Sequence, residues 1–352
     1  MSREVLLVGS VGLKDAEEVF LTAGRILGDS VRRIPDGETG NARSYWIQCQ
    51  TPFFLDHPLI EMVEPDPANP GAYRHARIPA NGIYSPTMAG AYQGRAKLRA
   101  GVSPGDLHFE NLGYADWAVE SYDIFRHLKQ AGRIPAATRF QVSIPTTHVW
   151  LQSRIFADDL DRIGPAYESA IFREAERVAE IIPREDLAVQ WDCTEPVRYE
   201  VAGADERLGM IARMIEFSRH VPDGVELGYH LCYGDWEHRH MREPKDSGVM
   251  VEMANALAAG VRRKIDWLHM PVPRDRDDEA FFVPLSDLRL RAETKLFLGL
   301  VHYTDGLEGT RKRMQAADSV VSDYGIAAEC GLGRRVDQDI IELLQTHKQA
   351  AE

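Results

Sequence analysis

The chain has little cysteine, no long apolar run and no basic tract, and each shortage excludes a class of protein. Four cysteines (Cys49, Cys193, Cys232 and Cys330) stand among 352 residues, too few for a disulfide framework and typical of a reducing compartment. No apolar stretch approaches the ~18 residues that a transmembrane helix needs, and the run Val5–Val8 is too short for a signal-peptide core. We therefore expect a cytoplasmic protein.

The charge balance is acidic, with a formal net charge of −13 and an isoelectric point near 5.4. An acidic surface repels phosphate backbones and anionic lipids, so we expect neither nucleic acid nor a membrane as a partner. Hydrophobic residues make up 44% of the chain, which is enough for a substantial core. Oligomerisation is left open, and a homo-oligomer is one possibility.

Apolar runs typical of buried strands alternate with amphipathic runs typical of helices. Such an alternation indicates parallel strands, and eight repeats predict a closed (β/α)₈ TIM barrel formed by residues 1–352 as one domain. The predicted strands are Glu4–Gly9, Val31–Pro35, Arg139–Ile144, Leu187–Trp191, Val225–Cys232, Ile265–Met270, Lys295–His302 and Ile326–Cys330. The clearest predicted helices are Asp15–Leu27, Ser121–Gln130, Pro165–Ile182, Glu206–Val221, Met250–Arg263 and Asp337–Lys348.

Residues 49–134 interrupt this alternation between the second and third strands. They are rich in proline, glycine, asparagine and tyrosine. We interpret them as a long insertion that covers the barrel mouth, with a dimer arm as the alternative.

The most specific pattern is a His-x-Cys pair with a distant cysteine. His230 and Cys232 end one strand-like run, and residues two apart on a strand point to the same side. Cys330 ends another run, and the carboxyl ends of barrel strands meet at one face. One imidazole and two thiolates suit a zinc site with an open fourth position, although buried cysteines are also common core residues.

Several motifs resemble the catalytic barrel of the cobalamin-independent methionine synthase family. They are Val8-Gly-Ser10, Glu38, Asp192-Cys-Thr-Glu-Pro196, the His-x-Cys-Tyr run at 230–233, and Glu329-Cys-Gly-Leu-Gly-Arg-Arg335, which is similar to the family's Asp-Cys-Gly-Leu-Lys-Thr-Arg. The resemblance implies that His230, Cys232 and Cys330 bind zinc. It also implies that Ser10, Glu38 and Asp192 contact an amino acid whose thiol is the nucleophile, and we add Glu195 as a candidate substrate contact.

Three departures bear on the substrate. The family's fourth zinc ligand is a glutamate after strand six, where this chain reads Asp266-Trp-Leu-His-Met-Pro271, so His269, water or substrate could take that position. Cys193 and Thr194 are inserted before Glu195. Full-length family members also carry an N-terminal barrel that has no counterpart in this sequence.

A thiol has a pKa near 8.5, and coordination to zinc converts it to a nucleophilic thiolate without a strong base. We therefore expect transfer of a methyl or other alkyl group from a small-molecule donor to a small-molecule thiol. A protonated leaving group requires an acid, for which His302, Asp305 and His269 are candidates. Each has a plain structural alternative, such as a hydrogen bond to a strand-end carbonyl.

Two other readings remain. The metal could activate water or polarise a carbonyl, which would make the protein a lyase or hydrolase. Alternatively, the protein could be a barrel that binds zinc or a metabolite without catalysis. The charged stretch His238-Arg239-His240 is interpreted as a solvated surface, and Cys49 and Cys193 have no partner at a useful spacing.

Overall fold

The computed structural model describes residues 2–39, 43, 49–63, 94–234, 240–333, 335 and 337–352. Within these ranges eight parallel strands form one sheet, ordered β1-β10-β9-β8-β7-β6-β5-β2. An isolated parallel bridge between Val5 and Val31 spans the remaining gap, so the sheet curls into a nearly closed barrel. The strands are β1 (Val5–Leu6), β2 (Arg33–Pro35), β5 (Arg139–Pro145), β6 (Leu187–Cys193), β7 (Glu226–Leu231), β8 (Trp267–Pro271), β9 (Lys295–Val301) and β10 (Gly325–Ala328). The predicted (β/α)₈ barrel is confirmed.

Helices lie between the strands and cover the outside of the barrel. They are α1 (Ala16–Leu27), α2 (Thr51–Leu55), α3 (Tyr114–Gln130), α4 (His148–Arg154), α5 (Leu160–Ile181), α6 (Glu195–Tyr199), α7 (Ala204–Phe217), α8 (Gly248–Gly260), α9 (Glu279–Phe282), α10 (Gly306–Asp318) and α11 (Asp337–Ala351). Asp15 caps α1, because its carboxylate accepts the backbone N–H of Glu18 at 2.9 Å.

Alternation along the strands divides the apolar side chains into two sets. Val5 and Leu7 belong to the large core between the strands and the helices. Leu6 and Val8, one residue out of phase, belong to a smaller cluster inside the barrel. That cluster also contains Ala188, Trp267, Phe297 and Ala327. A Cβ at Gly228 would lie 1.8 Å from the indole of Trp267, so a glycine on β7 makes room for the largest interior side chain.

The chain between β2 and β5 contains α2, α3 and an antiparallel pair, β3 (Ile60–Val63) and β4 (Arg95–Leu98). The helix α3 packs between α1 and α5, which is the position of a regular barrel helix. The proposed role of 49–134 as a cover or a dimer arm stays a prediction, and residues 64–93 lie outside the described part.

No helix in the described ranges combines the length and the apolar character that crossing a membrane requires.

Candidate metal centre and its surroundings

His230, Cys232 and Cys330 meet at the carboxyl ends of β7 and β10. Their candidate ligand atoms all lie within 4.8 Å of one another. The two sulfurs are 4.0 Å apart, close to the ~3.8 Å that two Zn–S bonds of ~2.3 Å subtend in a tetrahedron. The three side chains therefore form a group that could hold one metal ion.

The imidazole of His230 supplies an independent indication of a ligand. Its Nε2 is buried and has no hydrogen-bond partner among the described residues. Buried polar atoms in proteins are nearly always hydrogen-bonded, because an unpaired one has lost its contacts with water. Coordination of a metal ion through Nε2 would satisfy this atom.

The other nitrogen of His230 is engaged by a second histidine. Nδ1 of His230 lies 2.6 Å from Nδ1 of His269, and Nε2 of His269 lies 3.0 Å from the carbonyl oxygen of Ala328. Burial lowers the pKa of His269 to about 3. Burial, together with the nearby imidazoles of His269 and His240, lowers the pKa of His230 well below its ordinary value. Both rings are therefore neutral near pH 7, which is the form that binds metal.

Cys232 receives a backbone hydrogen bond. The N–H of Gly234 donates to its Sγ at 3.3 Å, and a donated N–H stabilises negative charge on sulfur. Gly234 has a φ of 77°, in the left-handed region that glycine adopts without strain. The turn after β7 is thus built to direct an amide at the sulfur.

A carboxylate held between two histidines lies next to Cys330. Oε1 of Glu329 is 3.5 Å from Nδ1 of His302, and its Oε2 is 3.6 Å from Nε2 of His240. Burial would raise the pKa of Glu329, but the two imidazoles, His302 foremost, hold it below its usual value. Nε2 of His302 lies 2.9 Å from the carbonyl oxygen of Val272. Two acceptors therefore flank the His302 ring, one at each nitrogen.

The sequence interpretation of 238–240 as a solvated surface is wrong for His240. Its side chain is only 4% exposed and reaches Glu329 beside the metal donors. Residues 238 and 239 lie outside the described ranges. A run of charged neighbours hid the buried histidine.

Asp305 occupies the N-cap position of α10, where Arg313 binds it. Both carboxylate oxygens accept from this guanidinium, at 2.6 and 2.8 Å. Burial alone would raise the pKa of Asp305, but the ion pair with Arg313 lowers it. The carboxylate is therefore engaged in an ion pair and ionised, and the role of Asp305 as an acid stays a prediction.

Ser10 contacts the loop that carries Cys330. Its hydroxyl accepts the N–H of Gly333 at 3.2 Å, and its carbonyl accepts the N–H of Leu332 at 2.6 Å. A Cβ at Gly331 would lie 2.2 Å from the Ser10 Oγ. Ser10 thus holds the closing loop in place, a role that sequence reasoning did not assign.

Glu38 follows β2 and has a φ of 52°, the only non-glycine residue with positive φ among the described residues. Its N–H donates to Oδ1 of Asp36 at 2.9 Å. A Cβ at Gly9 would lie 3.3 Å from the Ser143 Oγ and 3.9 Å from Oε1 of Glu38. The carboxylate of Glu38 therefore lies near Gly9, which follows β1, and unfavourable backbone of the kind at Glu38 clusters at functional sites.

Asp192 lies one residue before the end of β6, beside His230, its ladder partner on β7. Its Oδ1 accepts from Nε2 of Gln190 at 2.7 Å, and Oε1 of Gln190 accepts from the Trp267 indole at 3.1 Å. This chain of polar groups in the barrel interior fixes the carboxylate. Gln190 and Trp267 were not identified as site residues from sequence, because each resembles an ordinary strand residue.

Glu195 lies at the start of α6 and is only 2% exposed. Its Oε2 accepts from the Thr146 hydroxyl at 3.0 Å, and burial raises its pKa to about 7. The carboxyl is therefore close to half-protonated at neutral pH. This hydrogen bond joins α6 to the end of β5 rather than to the metal donors.

The remaining cysteines are structural. Burial raises the pKa of Cys49 to about 12 and that of Cys193 well above its ordinary value. The thiol of Cys193 donates to the Trp191 carbonyl at 3.5 Å and packs in the core outside the barrel.

Comparison with known proteins yields likenesses in structure only. No family model matches the chain, and no curated protein matches it. A candidate vitamin-B12-independent methionine synthase from Listeria monocytogenes superposes with a TM-score of 0.54 at 13% identity, covering 98% of this chain and 95% of that one. A B12-independent methionine synthase from Shewanella sp. W3-18-1, in complex with selenomethionine, gives 0.57 at 12% identity, covering 98% and 96%. A methyltransferase from Methanosarcina mazei gives 0.53 at 9% identity, covering 99% and 94%. At these identities the likeness establishes the shared barrel fold.

Proposed function

We propose that the protein is a zinc-dependent enzyme that transfers a methyl or other alkyl group to a thiol. One observation carries this proposal: an imidazole with an orphaned Nε2 and two cysteine sulfurs converge at the barrel mouth. The structural neighbours support it, since two of them are described as B12-independent methionine synthases and one as a methyltransferase.

The end of β8 leaves a position open for the substrate. Where the family has a glutamate ligand, this strand ends in Met270 and Pro271. Asp266 precedes the strand, and its carboxylate accepts the N–H of Leu227 at 2.9 Å and pairs with Lys264 at 2.6 Å. The donor group among the described residues has three members, and catalytic zinc sites keep three protein ligands and an exchangeable fourth position.

Zinc bound by these residues would hold a coordinating substrate thiol as a thiolate at neutral pH. Two cysteine thiolates and a neutral imidazole cancel the charge of the ion, which keeps a bound sulfur electron-rich. Glu38 and Asp192 are suited to hold the ammonium group of an amino-acid thiol. His302, flanked by the Val272 carbonyl and Glu329, is suited to protonate the leaving group.

Metal analysis tests the proposal first. Protein purified without chelator should contain about one zinc per chain, and Cys232→Ala and Cys330→Ala should each lose it. Cys193→Ala is the matched control, because that thiol packs outside the barrel and should leave the zinc content unchanged. Wild-type protein that lacks zinc after reconstitution would refute the proposal.

X-ray absorption with added thiols then separates transfer from the alternative chemistry. A thiol acceptor such as homocysteine, coenzyme M or glutathione should add one sulfur to the zinc coordination shell. Turnover with candidate methyl donors should follow for the thiol that binds. Zinc that never gains a sulfur would favour the lyase or hydrolase reading instead.

A further inference from the structure

His269 lies beside His230 in the barrel wall. The two residues are direct partners in the parallel ladder of β7 and β8, so their side chains point to the same face of the sheet. Both are fully enclosed, at 2% and 0% exposure. Their Nδ1 atoms are 2.6 Å apart, which requires a proton between them.

The hydrogen bond of Nε2 of His269 determines which of the two Nδ1 atoms carries that proton. Nε2 of His269 lies 3.0 Å from the Ala328 carbonyl oxygen, which can only accept, so this nitrogen carries a hydrogen. A neutral ring then has a lone pair on Nδ1. The proton between the two rings therefore belongs to Nδ1 of His230, and the lone pair of His230 is on Nε2.

An irregular pairing of β9 with β10 accompanies the hydrogen bond between His269 and the Ala328 carbonyl. The register between β9 and β10 shifts, with Ile326 opposite Leu298 but Ala328 opposite Val301. Such a bulge interrupts the ladder locally. Within it, a Cβ at Gly299 would lie 3.0 Å from the Ala328 carbonyl oxygen and 2.8 Å from the Glu329 Cα. Glycine is thus required where β10 approaches β9, and the carbonyl of Ala328 is bonded by an imidazole from β8 instead.

We propose that His269 is a positioning residue that fixes His230 in the tautomer whose lone pair is on Nε2, the buried nitrogen that has no hydrogen-bond partner among the described residues and can bind a metal ion. Two hydrogen bonds, from His230 to His269 and from His269 to the carbonyl of Ala328, form a relay that ends two residues before Cys330. It therefore ties the strand that carries the imidazole to the strand that carries the second sulfur. The inference rests on the proposed function for its purpose, but its geometry stands without it.

The relay changes the role that the sequence suggested for His269. Its two nitrogens are both used, one by His230 and one by Ala328. It is therefore neither the fourth ligand nor the acid. Hydrogen-bonded partners of this kind orient metal-binding histidines and raise their affinity for the ion.

Nuclear magnetic resonance of metal-free protein tests the tautomer directly. With isotopically labelled histidine, the side-chain nitrogen shifts of His230, assigned from a His230→Gln spectrum, should show a protonated Nδ1. In His269→Leu, which has no acceptor, the signal should move toward the Nε2-protonated form. His269→Gln should preserve the wild-type pattern, because its amide can accept from His230 and donate to Ala328.

Zinc affinity, measured by competition with a chelator, gives the second readout. His269→Leu should bind zinc about 10–100-fold more weakly than wild type, and His269→Gln should recover most of the loss. His347→Leu is the control, since that histidine is equally buried but belongs to α11.

A wild-type His230 protonated on Nε2 would overturn the relay, as would a His269→Leu variant with unchanged tautomer and affinity. If His269→Leu fails to fold, the wild-type and His269→Gln spectra decide the matter. A protonated Nδ1 in a protein that binds no zinc would refute the proposed function and uphold the relay.

Discussion

Substitution of Gly299 by alanine should damage the metal centre from a strand that supplies no ligand. The new methyl group would lie 2.8 Å from the Glu329 Cα, 3.0 Å from the Ala328 carbonyl oxygen and 3.0 Å from the Pro271 Cα. All three are backbone atoms of adjacent strands, so no side chain can rotate away. The strands must separate by several tenths of an ångström.

The expected magnitude follows from this crowding. Forcing an extra methyl into a packed interior costs about 1–3 kcal/mol. A chain of 352 residues has an unfolding entropy of about 0.7 kcal/mol per kelvin, so Tm should fall by about 1–4 °C. Because the displaced segment carries the Ala328 carbonyl and leads into Cys330, zinc affinity should fall by about tenfold or more.

Calorimetry of the metal-free protein and chelator competition measure the two effects separately. Gly209→Ala is the matched control, since a Cβ there meets nothing within 4 Å on the exposed face of α7. That change should raise stability by about 0.5–1 kcal/mol through helix propensity. If Gly299→Ala kept both wild-type Tm and wild-type zinc affinity, the argument that β9 is shaped around the relay would be refuted.

Three further substitutions test separate parts of the site. His302→Gln should retain zinc, because His302 is outside the donor group, yet lower kcat by about 10²-fold as measured with the best donor and thiol. Burial raises the folded-state pKa of Glu195 from 4.5 to about 7, so the folded protein binds an extra proton between these values and loses stability as pH rises through them. The free energy of unfolding of metal-free Glu195→Gln, measured in urea, should therefore equal that of wild type at pH 4 and exceed it by a few kcal/mol at pH 8. Equal free energies at both pH values would contradict the raised pKa of Glu195. Gly331→Ala places a methyl 2.2 Å from the Ser10 Oγ and should lower the affinity for zinc, as measured by competition with a chelator. Adding Ser10→Ala should restore part of that affinity. If the losses of binding free energy from the two substitutions simply added, the two residues would not interact.

The barrel was predictable because its helices and its strands have clearly different patterns of apolar residues. Long helices such as α1 and α5 bury an apolar stripe, and the interior strands are continuous apolar runs, so the alternation is visible without coordinates. The short helices α4, α6 and α9 have four to seven residues, too few to establish a helical period. They were not predicted for that reason.

The convergence of His230, Cys232 and Cys330 was predictable because their residue types are rare and all three stand at the ends of strand-like runs; their role as metal ligands stays a prediction. His230 and Cys232 are two apart at a strand end, where period-two alternation directs both to one side. The residues around these three side chains were harder to predict from sequence. The pairing of His269 with His230 depends on the register of β7 and β8, and sequence pattern does not determine register in a fully apolar sheet. The ion pair of Asp305 with Arg313 was not predicted, because Arg313 stands eight positions later, beyond the spacing of three or four residues at which such pairs are sought in a helix.

The irregular features of the barrel gather around the candidate site. Glu38 has left-handed backbone, the ladder shifts before Ala328, and His230 leaves a buried nitrogen without a partner. Each is unfavourable for folding alone, and each lies at or next to the carboxyl ends of the strands. Natural sequences retain such local conflicts where function requires them and remove them elsewhere. An apolar replacement of His269 would leave Nδ1–H of His230 and the carbonyl of Ala328 without their partner, so it should destabilise the metal-free barrel by about 1–3 kcal/mol and also weaken its hold on the ion. A positioning role requires both quantities to fall, whereas loss of a purely structural histidine would lower stability and leave the zinc affinity of the folded protein unchanged.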